Sequence, residues 1–282
     1  MTSCYLADPD PDLATRLSAW GYASADDIWR NRQIWSVVGN TVVHFSLTHL
    51  AGNVFWLWIL SSCFERHFGL RCWLCFYAGA CLVSMAGSLV CHHKAGVGAS
   101  GVLYAFVGFA WISRRRVTTF ARTMTRPVSG FLLLTVVCQW LDGIFSGNAV
   151  NDGEHFACLA YGALAGGTLV LSRPIAAAAP LGAGLLFCAT LLFWCPWSTE
   201  WTESRARAAY DAGRLEEARF LVQKSLRMGS DPVWALNMLA LIESLEGHAN
   251  ESRQIIERLR LLDPKGAAAL EQVLAGSQNT LR

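Results

Sequence analysis

Four polar side chains in the apolar part of the chain are of types that can carry out chemistry. His49 and Asn53 are four residues apart and therefore share a helical face, while Ser100 and His155 each lie near the start of a later apolar run. A serine hydroxyl becomes a nucleophile when an imidazole takes its proton, and the same imidazole can then protonate a leaving amine. We therefore expect Ser100 to be the nucleophile and His155 the general base and acid. The His49 ring, the Asn53 amide and the Ser100 backbone N–H are suited to stabilise an oxyanion.

Two glycines flank the candidate nucleophile. Gly98 and Gly101 remove side-chain bulk around Ser100, which we expect to let a substrate backbone reach the hydroxyl and to let neighbouring helices pack closely. Glu154 directly precedes His155 and should point elsewhere on a helix. The sequence therefore predicts a serine–histidine dyad.

Each of these features also has a structural interpretation. A Gly-x-Ser-Gly segment is commonly a packing motif, His49 and Asn53 can form an interhelical pair, and His155 can simply lie at a membrane interface. A metal site is a further alternative, because five histidines lie in or beside the apolar region: His44, His49, His92, His93 and His155. The His-Glu-x-x-His pattern of zinc proteases is absent, so we expect neither a metal nor a cofactor and assign His92 and His93 to the interface.

The distribution of charge predicts a membrane domain followed by a soluble one. Of the 282 residues, 53% are hydrophobic and 16% are charged, whereas a soluble domain usually carries about 25% charged residues. Residues 33–199 hold 13 charged side chains, and residues 200–282 hold 23. A net charge of +2 argues against a nucleic-acid partner. Nine of the ten cysteines lie in or beside apolar runs, where they are expected as small hydrophobic residues.

Six stretches without Asp, Glu, Lys or Arg predict six membrane crossings, since a helix needs about 20 apolar residues to cross a bilayer. They are residues 33–64, 72–93, 95–113, 127–141, 155–172 and 174–199. We place the first crossing at 46–64 and interpret 33–45 as an interfacial lead-in. The fourth crossing is short unless it extends to Phe145.

The cations predict the orientation, because Lys and Arg favour the cytoplasmic side. They cluster after the first, third and fifth runs, as Arg66, Arg71, Arg114, Arg115, Arg116, Arg122, Arg126 and Arg173, with Lys94 in an opposite loop. The odd-numbered crossings therefore run inward and carry His49, Ser100 and His155 near their starts, at similar depth. Residues 1–45 and the C-terminal domain should then face outside, and no cleavable signal peptide is visible.

These elements, in this order and spacing, resemble the rhomboid family of intramembrane serine proteases. The resemblance covers roughly residues 35–172 and rests on His44-x4-His49-x3-Asn53, Glu65-Arg66-His67-Phe68-Gly69, Gly98-Ala99-Ser100-Gly101, Tyr104, His155 and Gly162. It implies a Ser100–His155 dyad, an oxyanion site that includes His49 and Asn53, and Tyr104 packed against the His155 ring, with His44, Gly98 and Gly101 in support. It also implies cleavage of single-pass membrane proteins, within membrane lipid, near the outer face.

Three features depart from the family pattern. The span expected before His44 is missing because residues 1–32 are too polar, Trp35-Ser36 replaces the usual Trp-Arg pair, and Cys158 stands where a helix-packing glycine is usual. A catalytically inactive rhomboid-like protein that binds membrane clients is therefore the second hypothesis. The absence of targeting segments favours a bacterial inner membrane.

The C-terminal residues contain an internal repeat. Gly213 and Gly247 are 34 residues apart, and Asp231-Pro232 and Asp263-Pro264 are 32 apart. A helix-turn-helix period of this length resembles tetratricopeptide repeats, which imply a groove for a protein partner; a plain helical bundle is the alternative. We expect a further helix over 267–282. The predicted fold is thus all-α, with an N-terminal segment at 1–45, a rhomboid-like membrane domain at 46–199 and a soluble helical domain at 200–282.

Overall fold

The computed structural model describes residues 17–44, 46–91, 96–145, 153–170 and 174–280. Within these residues the regular secondary structure is α-helical, as the sequence predicts. The chain divides into two compact units, Met1–Cys195 and Pro196–Arg282. The expectations for residues 1–16, His92, His93, Lys94 and Arg173 lie outside the described residues.

The first unit contains helices over the apolar runs and two short helices outside them, Ala25–Trp29 and Thr118–Thr123. Their bounds are α1 (Ala25–Trp29), α2 (Ser36–Val42), α3 (Leu47–Cys91), α4 (Ser100–Ser113), α5 (Thr118–Thr123), α6 (Arg126–Phe145), α7 (Gly153–Val170) and α8 (Pro174–Leu191). α3 is two helices joined at Gly69, whose φ of 82° and ψ of 165° are not helical. Glycine tolerates this conformation, so the break falls between the first and second predicted spans.

Two helix ends differ from the predicted spans. The third span is expected to begin at residue 95, but residues 96–99 are not helical and α4 begins at Ser100, after Gly98 turns the chain with a φ of +105°. The sixth is expected to reach residue 199, but α8 ends at Leu191. The Leu191 carbonyl oxygen accepts a hydrogen bond from the Trp29 indole at 3.1 Å, which satisfies one of the acceptors left open at a helix end.

One described helix, Leu47–Val90, is long and apolar enough to cross a membrane on the criteria of length and composition. Ser100–Ser113, Ala178–Leu191 and Pro232–Leu245 are apolar but shorter. α6 has 20 residues and extends to Phe145, which gives the fourth run the length that a crossing requires. The six crossings together remain a prediction.

α4 and α7 pack backbone to backbone through two glycines. An ideal Cβ on Gly162 would lie 2.7 Å from the Ala105 carbonyl carbon, and one on Gly108 would lie 3.0 Å from a backbone carbon of α7. Glycine therefore lets these helices approach more closely than a larger residue would. Cys158, the departure from the family pattern, instead faces α3, where its thiol lies 3.9 Å from the Ala80 carbonyl oxygen.

The lead-in expected at 33–45 contains α2 and is packed into the first unit. Asn40 on α2 is buried, and its side-chain amide forms two hydrogen bonds with the Ala23 backbone, at 2.9 and 3.0 Å. The backbone carbonyl oxygen of Asn40 accepts a hydrogen bond from the Gly98 N–H at 2.9 Å. The lead-in at 33–45 therefore does more than lie at the interface, because its residue Asn40 binds the loop that precedes Ser100.

The second unit is a series of consecutive packed helices. They are α9 (Thr199–Asp211), α10 (Leu215–Arg227), α11 (Pro232–Leu245), α12 (Ala249–Leu262) and α13 (Pro264–Thr280). Gly213 and Gly247, the equivalent positions of the repeat, have φ values of +71° and +82° in the turns that follow α9 and α11. The last helix begins at Pro264, slightly before its expected start.

Candidate active site

Ser100 and His155 lie at the N-terminal ends of two adjacent helices. Ser100 is the first residue of α4, after Ala99, and His155 is in the first turn of α7. Ser100 Oγ is 2.9 Å from His155 Nε2, within hydrogen-bond distance. The Tyr104 ring stacks on the His155 ring, with centroids 4.6 Å apart and an interplanar angle of 29°. The hydroxyl can therefore give its proton to an imidazole that an aromatic neighbour orients.

His44, expected only as a supporting residue, joins three parts of the site. Its Nε2 lies 3.2 Å from the Ala99 backbone nitrogen and 3.0 Å from Asn53 Nδ2, while its Nδ1 lies 2.9 Å from the Val42 carbonyl oxygen. A backbone N–H only donates and a carbonyl oxygen only accepts, so Nε2 is the acceptor and Nδ1 carries the proton. His44 is thus assigned as a neutral imidazole that fixes the residue preceding Ser100.

The two residues expected to stabilise an oxyanion lie beside His44. Asn53 is buried and uses its amide nitrogen to bind His44. The His49 ring packs edge-on against the His44 ring with centroids 5.2 Å apart, and its Cε1 lies 3.0 Å from the ideal Cβ position of Gly98. His49 therefore lies against Gly98 directly and Asn53 acts on Ala99 through His44, and their contact with an oxyanion remains a prediction.

The two glycines around the serine make room for protein side chains. At Gly98 the φ of +105° disfavours any residue with a Cβ, and the two imidazoles occupy the adjacent space. An ideal Cβ on Gly101 would lie 2.8 Å from Ser84 Cβ and 2.9 Å from Glu154 Oε1. The close packing expected at these glycines is therefore present, because neighbouring side chains lie against both positions, and a path for a substrate backbone remains a prediction.

Glu154 is a buried neighbour of the site and, as expected, does not point at the His155 ring. Its side chain points away to α3, where Oε1 accepts a hydrogen bond from Ser84 Oγ at 2.5 Å, and the residue is only 7% exposed. The sequence contains one indication of this contact: Ser84, Gly87 and Ser88 are spaced so that they share one face of α3, and all three are small. The partner itself, 70 residues away, required the structure.

A second group of titratable residues lies in the C-terminal unit. Ligand atoms of Glu243, Glu246 and His248 lie within 4.8 Å of one another. Arg219 from α10 donates to Glu243 at 3.1 Å and also bonds Glu246, so the protein itself supplies a cation. A hydrogen bond from His248 to Glu243 raises the pKa of that imidazole. We interpret this cluster as an ion-pair network.

The chain resembles the rhomboid class through this arrangement. A serine and a histidine lie at the ends of two helices that pack through glycines, and a second histidine and an asparagine flank them. The rhomboid domain model matches residues 31–172, half of the chain, and the chain belongs to the rhomboid family. It is 29% identical over 147 residues to the rhomboid protease GlpG of Enterobacter sp. (strain 638). The matched region covers 51% of this chain and 50% of that protein.

GlpG proteins from other bacteria match similarly. The identity is 30% over 132 residues for Pectobacterium atrosepticum, covering 47% of each chain. It is 27% over 146 residues for Yersinia pseudotuberculosis, covering 52% of this chain and 50% of that protein. The chain thus spans about half the length of these curated relatives. No solved structure matches it significantly.

Proposed function

We propose that this protein is an intramembrane serine endopeptidase that uses Ser100 and His155 as a catalytic dyad. The observation that carries the proposal is the 2.9 Å distance between Ser100 Oγ and His155 Nε2. Membership of the rhomboid family and the similarity to proteins named rhomboid protease support the same reaction class.

In this mechanism Ser100 Oγ attacks a peptide carbonyl carbon while His155 Nε2 takes the hydroxyl proton. The tetrahedral intermediate collapses as the C–N bond breaks, and His155 gives its proton to the leaving amine. A water molecule then attacks the acyl-enzyme with His155 again as base, and Ser100 recovers its proton. The stacked Tyr104 ring limits the imidazole to orientations that face the hydroxyl.

The N-terminal end of α4 is suited to stabilise the developing oxyanion. The first backbone N–H groups of a helix have no intrahelical acceptor and carry the positive end of the helix dipole. Ser100 is the first residue of α4, so its own N–H belongs to this set. We propose that this N–H acts together with the His49 ring, which lies beside Gly98, and the Asn53 amide, which is bonded to His44.

The length of α4 supports a reaction inside the membrane near one face. Its 14 residues measure about 21 Å, against a hydrocarbon core of about 30 Å. Three arginines, 114–116, follow its end and favour the cytoplasmic side. With that end at the cytoplasmic boundary, Ser100 lies about 10 Å below the outer one. Such a depth suits single-pass membrane proteins whose helix unwinds near that face.

For the C-terminal unit we propose a tetratricopeptide-like domain that faces outside and recruits a protein partner. The repeat of 34 residues and the equivalent positive-φ turns at Gly213 and Gly247 support this proposal. The domain limits at 45/46 and 199/200, and the inner-membrane location, belong to the same proposal.

The test uses the full chain in detergent or liposomes with a fluorophosphonate probe and a single-pass model substrate. Wild-type protein should be labelled and should cleave the substrate, and both activities should vanish in Ser100→Ala. Ser113→Ala is the matched control, because Ser113 lies at the other end of α4 and its buried hydroxyl has no hydrogen-bond partner among the described residues. Folded wild-type protein that is neither labelled nor active would favour the inactive client binder.

A further inference from the structure

The carboxylate of Glu154 lies where three elements of the site meet. The residue directly precedes His155 on α7, yet its side chain extends to α3 and to the start of α4. We propose that Glu154 is a positioning residue that sets the separation between Ser100 and His155. This inference rests on the proposed function.

The first set of contacts anchors α7 to α3. Ser84 Oγ donates a hydrogen bond to Glu154 Oε1 at 2.5 Å, and both residues are buried. One turn along α3, an ideal Cβ on Gly87 would lie 2.9 Å from Glu154 Cα, so the α7 backbone rests directly on that glycine. The start of α7 is therefore held at a fixed height on α3.

The second set of contacts reaches the serine side of the site. Glu154 Oε1 lies 2.9 Å from the ideal Cβ position of Gly101, the residue after Ser100, and Oε2 lies 2.9 Å from that of Gly96. The carboxylate thus touches the start of α4 and the segment that leads into it. One side chain on α7 spans the gap to the backbone on both sides of the nucleophile.

A carboxylate at this place is costly unless its hydrogen bonds are made, because burial removes it from water. The hydrogen bond from Ser84 offsets part of this cost and fixes the rotamer of Glu154. The glycines at 96 and 101 leave a space that the carboxylate fills. Without the side chain, the start of α4 loses one of its contacts with α7 beside the reacting groups, and Ser100 and His155 are held together less tightly.

The experiment compares Glu154→Ala with Glu154→Gln in the full chain, by fluorophosphonate labelling and by substrate cleavage. Glu154→Ala should lower the labelling rate constant and kcat roughly 10- to 100-fold, with the final labelled fraction and KM little changed. Glu154→Gln keeps the shape and can accept from Ser84, so it should lose less than about fivefold. Glu203→Ala is the matched control, because Glu203 is a buried glutamate bonded to a serine, Ser230, in the other unit. It should leave both rates at the wild-type value.

Several results would overturn the inference. A wild-type rate constant in Glu154→Ala would do so, as would a smaller labelled fraction at an unchanged rate constant, which reports misfolding alone. A Glu154→Gln variant as slow as Glu154→Ala would also contradict it, since the packing contact would then be irrelevant. If Glu154→Ala does not fold, Ser84→Ala removes the hydrogen bond that fixes Glu154 and must lower the rate constant in the same way. Failure of the proposed function is distinct, because wild-type labelling would then be absent or independent of Ser100.

Discussion

Replacing Gly162 by alanine is expected to push α4 and α7 apart where their backbones meet. The added Cβ would lie 2.7 Å from the Ala105 carbonyl carbon and closer still to its oxygen. Non-bonded carbon atoms are best placed about 3.5–4.0 Å apart, so the helices must separate by about 1 Å. Since the crowded atoms belong to the helix backbone, no side-chain rotation can relieve the contact.

A separation of this size would break the contact between the two proposed catalytic groups. The Ser100–His155 distance would grow from 2.9 Å to beyond about 3.5 Å, where a hydrogen bond is lost. A misplacement of about 1 Å can cost on the order of 100-fold in rate, so we expect Gly162→Ala to react about 100-fold more slowly with a fluorophosphonate. Crowding should also destabilise the folded protein by about 1–3 kcal/mol.

The matched control is Gly182→Ala on α8, where an added Cβ meets no atom of the described part of the chain within 4 Å. This variant should label at the wild-type rate. Labelling and cleavage by Gly162→Ala at rates within twofold of wild type would refute the argument, because the close approach of α4 and α7 would then not control the site.

Three further predictions concern other contacts. Tyr104→Ala should lower the labelling rate about tenfold by removing the ring stacked on His155, whereas Tyr104→Phe should stay within about twofold, which rapid-quench labelling would measure. Burial raises the pKa of Glu203, so the neutral form of this side chain favours folding, and that stability is lost as the pH rises through the raised pKa. In thermal unfolding, Glu203→Gln should therefore have a higher melting temperature than wild type at pH 8 and the same melting temperature near pH 4. Arg219→Met removes the arginine that pairs with both Glu243 and Glu246, so it should lower the free energy of unfolding by about 1–3 kcal/mol in urea titrations. Arg214→Met, at an exposed pair, should cost less than about 0.5 kcal/mol. Equal effects of the two arginine variants would contradict the last prediction.

The positions of the helices in the first unit could be predicted because uncharged runs mark them, but some of their ends could not. α4 begins at Ser100 rather than earlier because Gly98 adopts a positive φ, which the sequence permits but does not require. α8 ends where the Trp29 indole binds the Leu191 carbonyl oxygen, a contact between residues 162 positions apart. Such endings depend on tertiary contacts and not on local composition.

Some residues of the candidate site could likewise be predicted from the sequence, whereas the contacts of others could not. Ser100 and His155 were identifiable because polar side chains are costly at membrane depth, so each one present is a functional candidate. The tautomer of His44 follows from two backbone partners, Ala99 and Val42, and no sequence pattern reports it. The contact of Gly108 with α7 likewise follows from the crossing of two helices, and the sequence analysis did not single it out.

Activation of Ser100 by His155 is tested by the mass of the fluorophosphonate adduct after proteolysis. We expect one adduct in the wild-type protein, on the peptide that contains Ser100, and none in a folded His155→Ala variant over the same time. An adduct on another residue, or equal modification of Ser100 without the imidazole, would contradict it.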